Sequence, residues 1–112
     1  MEKTEFVTYE TTNEQLTQIN RVCTMETEKQ VKVLKALSDP TRLKIIKMLA
    51  NCEKCVCEII PATGKSQSTT STHLRILHEA GLVKSRKEGL SVYYRLTDNE
   101  VLNLLSAVGK IR

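Results

Sequence analysis

Three of the chain's four cysteines fall within six residues, as Cys52-Glu53-Lys54-Cys55-Val56-Cys57, and the fourth is Cys23. Thiolate sulfur is a soft ligand, so a cluster this dense suits As(III), Sb(III), Cd(II), Pb(II) or Zn(II), which sulfur binds far better than oxygen does. On a continuous helix Cys55 and Cys57 would point roughly 200° apart, so undistorted helix cannot hold an ion between them. Cys52 is therefore expected in a loop and Cys55 close to a helix N-terminus, where the backbone dipole favours the thiolate. Cys23 lies on an apolar stripe, and its reading as a small core or interface hydrophobe ranks slightly ahead of its reading as a further ligand. Two other chemistries compete. A Cys52–Cys55 redox pair lacks the βαβ surroundings of a thioredoxin-like enzyme, and a structural zinc site would need Cys23 to complete four ligands.

A second chemical stretch follows at residues 66–78, SQSTTSTHLRILH. At helical spacing Ser68, Ser71, Thr72 and Arg75 share one face, with Ser66 as the cap and Gln67 and Thr69 at the N-terminal end. Such a short, hydrogen-bonding face suits the edges of bases in a DNA major groove. A merely solvated helix would favour Lys, Glu and Ala over Ser and Thr. His73 is counted with the DNA-facing residues. As a pair at i, i+5, His73 and His78 fit surface or core roles better than metal ligation. Further on, Lys84, Arg86, Lys87 and Arg95 could lie along phosphates, adding salt-dependent affinity without sequence choice. Of Tyr93 and Tyr94, one is expected in the core and one at the surface.

Charge placement agrees with a polyanion partner. Residues 1–63 hold nine Lys/Arg against nine Asp/Glu, whereas residues 64–112 hold eight against four, so the net +4 lies wholly in the second part. A double-stranded operator is the partner this points to.

The elements that must position these residues are legible as periodicities. Residues 1–11 show no stripe and are expected to form a flexible arm, leaving 12–112 as one domain of DNA binding and dimerisation. Leu16, Ile19 and Cys23 mark one helix, and Val31, Leu34 and Leu37 mark a second that ends near Ser38. Asp39 and Pro40 are the cap and first residue of a third helix, with Leu43, Ile46, Leu49 and Ala50 on its apolar face. A short helix from about Cys55 carries Val56, Ile59 and Ile60 before Pro61 and Gly64 interrupt it. The next helix opens at Ser66, buries Leu74, Leu77 and the Thr70 methyl, and stops at Gly81. The period then falls to two over Leu82–Lys87 and Leu90–Leu96, strands joined at Glu88-Gly89. Thr97 or Asp98 caps a last helix with Val101, Leu104, Leu105, Val108 and Ile111 along one seam. The order is that of a winged helix-turn-helix, mainly α with a small β-hairpin, and because a domain this small often gains stability by dimerising, it is expected to be dimerised through its terminal helices.

With 112 residues, 40% hydrophobic and 27% charged, the chain suits one small domain and leaves little room for a catalytic module, so no enzyme is expected. No apolar run approaches the roughly 18 to 20 residues of a membrane span, and the first residues lack a signal pattern. A cytoplasmic location follows as an expectation, and with it reduced thiols.

The segments LKALSDPTRLKIIKMLA, CVCEI, SQSTTSTHLRILHEAGLVKSRKEG and VYYRLT together resemble the ArsR/SmtB family of metal- and metalloid-sensing repressors, over roughly residues 28–108. The resemblance implies a homodimer, operator binding by the helix after Gly64, and derepression when an ion binds. Cys55 and Cys57 look like the family's cysteine box, which answers to As(III)/Sb(III) or to Cd(II)/Pb(II)/Zn(II). Several positions depart from the pattern. Cys52 precedes the pair, where the arsenite-sensing box often has its third thiol at the place of Ile60. Only Cys23 could serve the cadmium and lead version. Glu100 and Ile111 stand at or near the histidines of the zinc site, and Thr72 stands where the recognition helix commonly has histidine. The leading expectation is a repressor released by As(III) or Sb(III) on Cys52, Cys55 and Cys57, with a Cd(II)/Pb(II)/Zn(II) sensor of the same family, Cys23 joining as a fourth ligand in the Cd(II)/Pb(II) case, or a thiol redox switch, as alternatives. Gathering the sulfurs is expected to move or unwind the start of the helix at Cys55 and so tilt the recognition helices of a dimer.

Overall fold

The structure, a computed structural model, describes residues 26–111. The chain divides into two units, residues 1–31 and 32–112. Of the first, the described residues 26–31 are helical and exposed. The expected arm over 1–11 and the helix bearing Leu16, Ile19 and Cys23 lie outside the described residues. Helix α1 is described over 26–37. It is followed by α2 (Pro40–Met48), β1 (Lys54–Cys55), α3 (Val56–Thr63), α4 (Gln67–Glu79), β2 (Val83–Glu88), β3 (Ser91–Leu96) and α5 (Glu100–Gly109).

Local chemistry sets most boundaries. Asp39 stands in extended conformation before Pro40, and its carboxylate accepts the N–H groups of Thr41 at 2.9 Å and Arg42 at 3.1 Å. This satisfies donors that a helix start leaves free, while Pro40 has none to lose. At the end of α4 the N–H of Leu82 reaches Leu77 C=O and that of Gly81 reaches His78 C=O, both at 3.0 Å. That is a Schellman closure, and Gly81 supplies its left-handed residue.

Three boundaries differ from the sequence reading. Pro61 does not interrupt α3, which runs on to Thr63 before Gly64. Its missing N–H removes the bond to Cys57 C=O, a cost that the packing of α3 against α2 and α4 offsets. The hairpin turn is Gly89-Leu90, because Glu88 pairs with Ser91. Helix α5 has Asn99 at its cap without a side-chain bond, and the Asp98 carboxylate instead accepts from Glu100 N–H at 2.8 Å.

The sheet has the order β1-β3-β2, with both pairings antiparallel. Beneath it lies one core in which Ile45, Ile46, Ile59 and Leu77 are fully buried, with Leu74, Val83 and Val101 beside them. Each such side chain contributes about 1.5–3 kcal/mol on leaving water, so α2, α3, α4 and the sheet stabilise one another more than any helix stabilises itself. Among the described residues no helix is long and apolar enough to cross a membrane.

Candidate DNA-reading face and cysteine site

Helices α3 and α4 meet at a three-residue turn, and a relay of hydroxyls fixes their angle. Thr63 donates its Oγ1 hydrogen to Ile60 C=O at 2.8 Å and accepts Lys65 N–H at 3.2 Å. Its remaining lone pair faces Thr70 Oγ1 at 3.1 Å, so Thr70 is the donor of that bond. Thr70 is fully buried, and this bond is what makes a hydroxyl tolerable there. Gly64, at φ 71°, takes the left-handed conformation that lets the chain reverse between the helices.

The exposed side of α4 carries Gln67, Ser68, Thr69, Ser71, Thr72 and Arg75. Ser66 caps the helix by accepting Thr69 N–H at 3.1 Å, and its own hydroxyl donates to Thr69 Oγ1 at 3.0 Å. Ser66 and Thr69 thus spend hydrogen-bonding capacity on the cap, and Ser68 donates to Ser66 Oγ at 3.3 Å, whereas Gln67 and Ser71 keep theirs for a partner. Thr72 donates to Ser68 C=O at 3.1 Å, which leaves its methyl and an acceptor outward. Arg75 lies 3.7 Å from Glu79 at i, i+4 with both side chains more than half exposed, a pairing weak enough to exchange for a phosphate.

His73 stands apart from that face. Its side chain is 15% exposed, and Nδ1 accepts from Arg42 Nη1 at 3.0 Å, with Asp39 Oδ2 4.0 Å away. Arg42 also donates from Nε to Ala36 C=O at 2.6 Å and from Nη2 to Lys35 C=O at 3.3 Å. One guanidinium therefore ties the C-terminal carbonyls of α1 to the recognition helix. The backbone N–H of Arg42, and after it the charge of Arg42, hold the Asp39 carboxyl below its ordinary value against the opposing effect of burial. Here His73 serves the packing of α4 on α2 rather than the groove.

The wing basic residues also divide. Lys84, Lys87 and Arg95 are exposed, but Arg86 is clamped. Its Nε and Nη2 donate to the two carboxylate oxygens of Glu53 at 2.8 and 2.7 Å, its Nη1 donates to Glu88 at 2.7 Å, and it lies 4.6 Å over the Tyr93 ring. Hydrogen bonding from Arg86 lowers the Glu53 carboxyl, and Glu53 and Glu88 raise the guanidinium further. Lys84 stands opposite Arg95 in the register, a like-charge pair that an anion would relieve. Tyr94 packs against the core and Tyr93 holds Arg86, the division expected of the two tyrosines.

The cysteines are placed by β1. Lys54 pairs with Tyr94 and Cys55 with Tyr93, so the cysteine segment is an edge strand of the wing sheet. Cys55 is also the cap of α3, in extended conformation at φ −72°, ψ 145°. Its sulfur accepts Cys57 N–H at 3.1 Å while its own N–H donates to Glu58 Oε1 at 2.9 Å, the reciprocal arrangement of a capping box. Because Cys55 stands outside the helix, its sulfur meets that of Cys57, and the two are paired as a disulfide. The sulfurs of Cys55 and Cys57 thus meet with α3 intact, and the pairing is Cys55–Cys57 rather than the Cys52–Cys55 pair weighed from the sequence. Cys52 is a free, exposed thiol. Among the described residues no three His, Cys, Asp or Glu side chains are gathered closely enough to hold a metal ion, so the structure assembles two of the expected ligands. Cys23 lies outside the described residues. Reduced to thiols, two adjacent sulfurs fit a thiol-seeking ion as far as they go, and Cys52 is three residues from joining them.

A cleft of about 450 Å³ adjoins the pair. Cys55 and Cys57 lie in one wall, Gln67 and Ser71 of α4 in another, and Leu90 and Val92 of the wing in a third.

A three-helix core with a helix-turn-helix, a polar recognition face and a three-stranded wing defines a winged-helix DNA-binding protein. The family described as "Bacterial regulatory protein, arsR family" matches residues 39–85, from the cap of α2 into β2. An HTH-type transcriptional regulator of Methanocaldococcus jannaschii is 46% identical over 85 residues, covering 75% of this chain and 96% of the relative. The chain belongs to the ArsR/SmtB family of transcriptional repressors. It is 48% identical over 75 residues to a cadmium resistance regulatory protein CadC homologue of Staphylococcus aureus, covering 66% of this chain and 62% of the relative. It is 43% identical over 68 residues to the arsenical resistance operon repressor of Escherichia coli, covering 60% of this chain and 58% of that one. The chain thus spans less than two thirds of these last two relatives. A homodimeric winged helix-turn-helix domain from Mycobacterium bovis, solved in solution, superposes with a TM-score of 0.67 at 31% identity, covering 88% of this chain and 84% of that one. These likenesses are all to transcriptional regulators.

Proposed function

We propose that the chain is a dimeric repressor whose hold on operator DNA is released when As(III) or Sb(III) binds Cys55 and Cys57, with Cys52 drawn in as the third thiolate. The observation that carries this reading is the meeting of the Cys55 and Cys57 sulfurs at the start of α3, the first helix of the DNA-reading pair. A trigonal ion bound by sulfur needs one thiolate more, and Cys52 is the nearest in sequence. Movement of Cys52 toward the pair displaces Glu53 and Lys54, the residues that grip Arg86 and pair with β3. The signal therefore enters through the wing strand and the cap of α3, not through unwinding of the helix. A coupling of about 1–3 kcal/mol, or 5- to 150-fold in DNA affinity, is enough for a repressor.

The proposed dimer uses the terminal helices, where Leu34 of α1 and Val108 and Ile111 at the end of α5 leave large apolar side chains in water. The homodimeric neighbour supports it. A cytoplasmic location belongs to the same proposal, since it keeps the pair in its dithiol form. A gel shift on the DNA upstream of the chain's own gene, with arsenite, cadmium, lead and zinc in parallel, tests the reading. Release by arsenite that disappears in Cys55→Ser and Cys57→Ser supports it, and undiminished release in those variants refutes it. The Cd(II)/Pb(II) version, suggested by the cadmium-resistance relative, requires that Cys23→Ser weaken release.

A second reading rests on the same pair being joined as a disulfide. In that reading peroxide releases the operator without any ion, and a reductant restores binding.

A further inference from the structure

The last carbonyls of a helix have no partner inside it, and α1 ends at residue 37. From the first turn of α2, Arg42 serves two of them, Ala36 C=O at 2.6 Å and Lys35 C=O at 3.3 Å, where the negative end of the helix dipole also favours a cation. Its remaining arm reaches His73, in the middle of α4, at 3.0 Å. A guanidinium only donates, so Nδ1 is the bare ring nitrogen of His73.

Where that bond takes hold of α4 decides what it can do. At about 100° per residue His73 lies roughly 200° around the helix from Ser71, on the side turned from the reading face. On a third side Thr70 is held to Thr63 of α3 at 3.1 Å. Leu74 and Leu77 bury α4 in the core between these ties, but apolar contact has no preferred direction, whereas hydrogen bonds do. Packing therefore sets how firmly α4 is held, and the polar ties set how it is rolled. The Thr70 tie stays within the helix-turn-helix, and the Arg42 tie runs out to α1.

We propose that Arg42 is a positioning residue that sets which half-site spacing the protein accepts in its operator. The proposal rests on the reading that the chain dimerises through α1 and α5, because α1 then refers the recognition helix of one protomer to that of its partner. One base-pair step is about 3.4 Å along the duplex, so a displacement of each α4 by about 1.7 Å changes the match by a whole step. Hydrogen-bond lengths vary by only about half an ångström, and a tie made of them is stiff on that scale. Arginine suits the task because its planar fork addresses three acceptors at fixed angles. Lysine, a point charge on a flexible stem, cannot take its place.

The test uses the full chain, reduced, and the operator footprinted upstream of its own gene. Labelled duplexes carry the natural half-site spacing, the spacing with one base pair inserted or removed, or a single half-site. Fluorescence anisotropy reads the affinities and sedimentation equilibrium reads the oligomeric state. The wild type should prefer the natural spacing. Arg42→Met, Arg42→Lys and His73→Phe should each lower that preference by about fivefold or more while binding the single half-site as before. His73→Asn, whose side-chain oxygen stands in the place of Nδ1, should keep the preference. If the Arg42 and His73→Phe variants weaken every duplex alike, the single half-site included, Arg42 merely holds the fold and the proposal is overturned. It is overturned equally if His73→Phe keeps the wild-type preference or His73→Asn loses it. A dimeric wild type indifferent to spacing ends the proposal and leaves the dimeric repressor standing, and a wild type that is monomeric both free and on DNA ends both.

Discussion

Four cationic side chains project from the wing, but they differ in how far the chain itself already neutralises them. Arg86 sits between the carboxylates of Glu53 and Glu88, so this local group is net negative rather than positive. Side chains alternate along β2, which puts Arg86 with Lys84 on one face and Lys87 on the other, opposite Val92 next to the cleft and near the hairpin tip. Lys87 is thus the wing cation expected on a phosphate. Each phosphate contact contributes about 0.9 to the slope of log K against log salt, which between about 50 and about 200 mM salt is roughly 3.5-fold in affinity. Lys87→Gln should flatten the slope by about 0.9. The double variant Arg86→Gln with Glu53→Gln removes one cation and one anion, keeps the local charge, and should leave the slope unchanged. Fluorescence anisotropy on a labelled operator duplex across a potassium chloride series measures both. A double variant that flattens the slope as much as Lys87→Gln would show that Arg86 leaves Glu53 for DNA, and the argument for a clamped wing arginine would fall.

Two further outcomes concern the scaffold. Ile46→Ala, at a fully buried site between the helices, should lower the unfolding free energy by about 2–5 kcal/mol in denaturant titration, and a loss well below this would mean the core is not packed as described. The Asp39 carboxyl is held below its ordinary value in the folded chain, so its charged form contributes stability above the unfolded value of about 3.9, lost as pH falls through the folded value. The melting temperature of Asp39→Asn should therefore lie below that of the wild type at about pH 6 and converge on it as the pH falls toward about 2. A gap that persists at low pH would assign the effect to something other than the carboxylate.

What could be read from the residues was whatever carries its cause locally. Asp39-Pro40, Gly81 and the period-two run beyond it mark boundaries because caps and turns are made by near neighbours in sequence. The two-residue β1 has no period to show, since it exists only because β3 offers it a partner. Arg42 and Glu53 were missed for a related reason. Isolated charges usually face water, and their partners His73 and Arg86 lie 31 and 33 residues away. His73 was placed on the groove by its helical neighbours, whereas the approach of α2 decides where it points. Pro61 was given too much weight as a breaker in a helix already held by α2 and α4. One local signal did exist for the cysteine geometry. Glu58 stands three residues after Cys55, the capping-box spacing, and would have put Cys55 outside the helix and its sulfur within reach of Cys57.

That placement changes what a sensor here has to do. A sulfur pair inside a helix would need a ligand strong enough to break helical hydrogen bonds before any signal left the site. With Cys55 at once cap and strand, the pair is formed in the resting fold, and the same three residues, Glu53 to Cys55, hold Arg86, pair with β3 and begin α3. A ligand that calls Cys52 inward has to shift the segment, and so reaches the wing and the helix start together. The arsenite-bound protein should therefore lose the Arg86–Tyr93 contact, seen as a change in tyrosine emission. An arsenite complex with unchanged emission would mean that the segment stays in place, and that the signal leaves the site by another route.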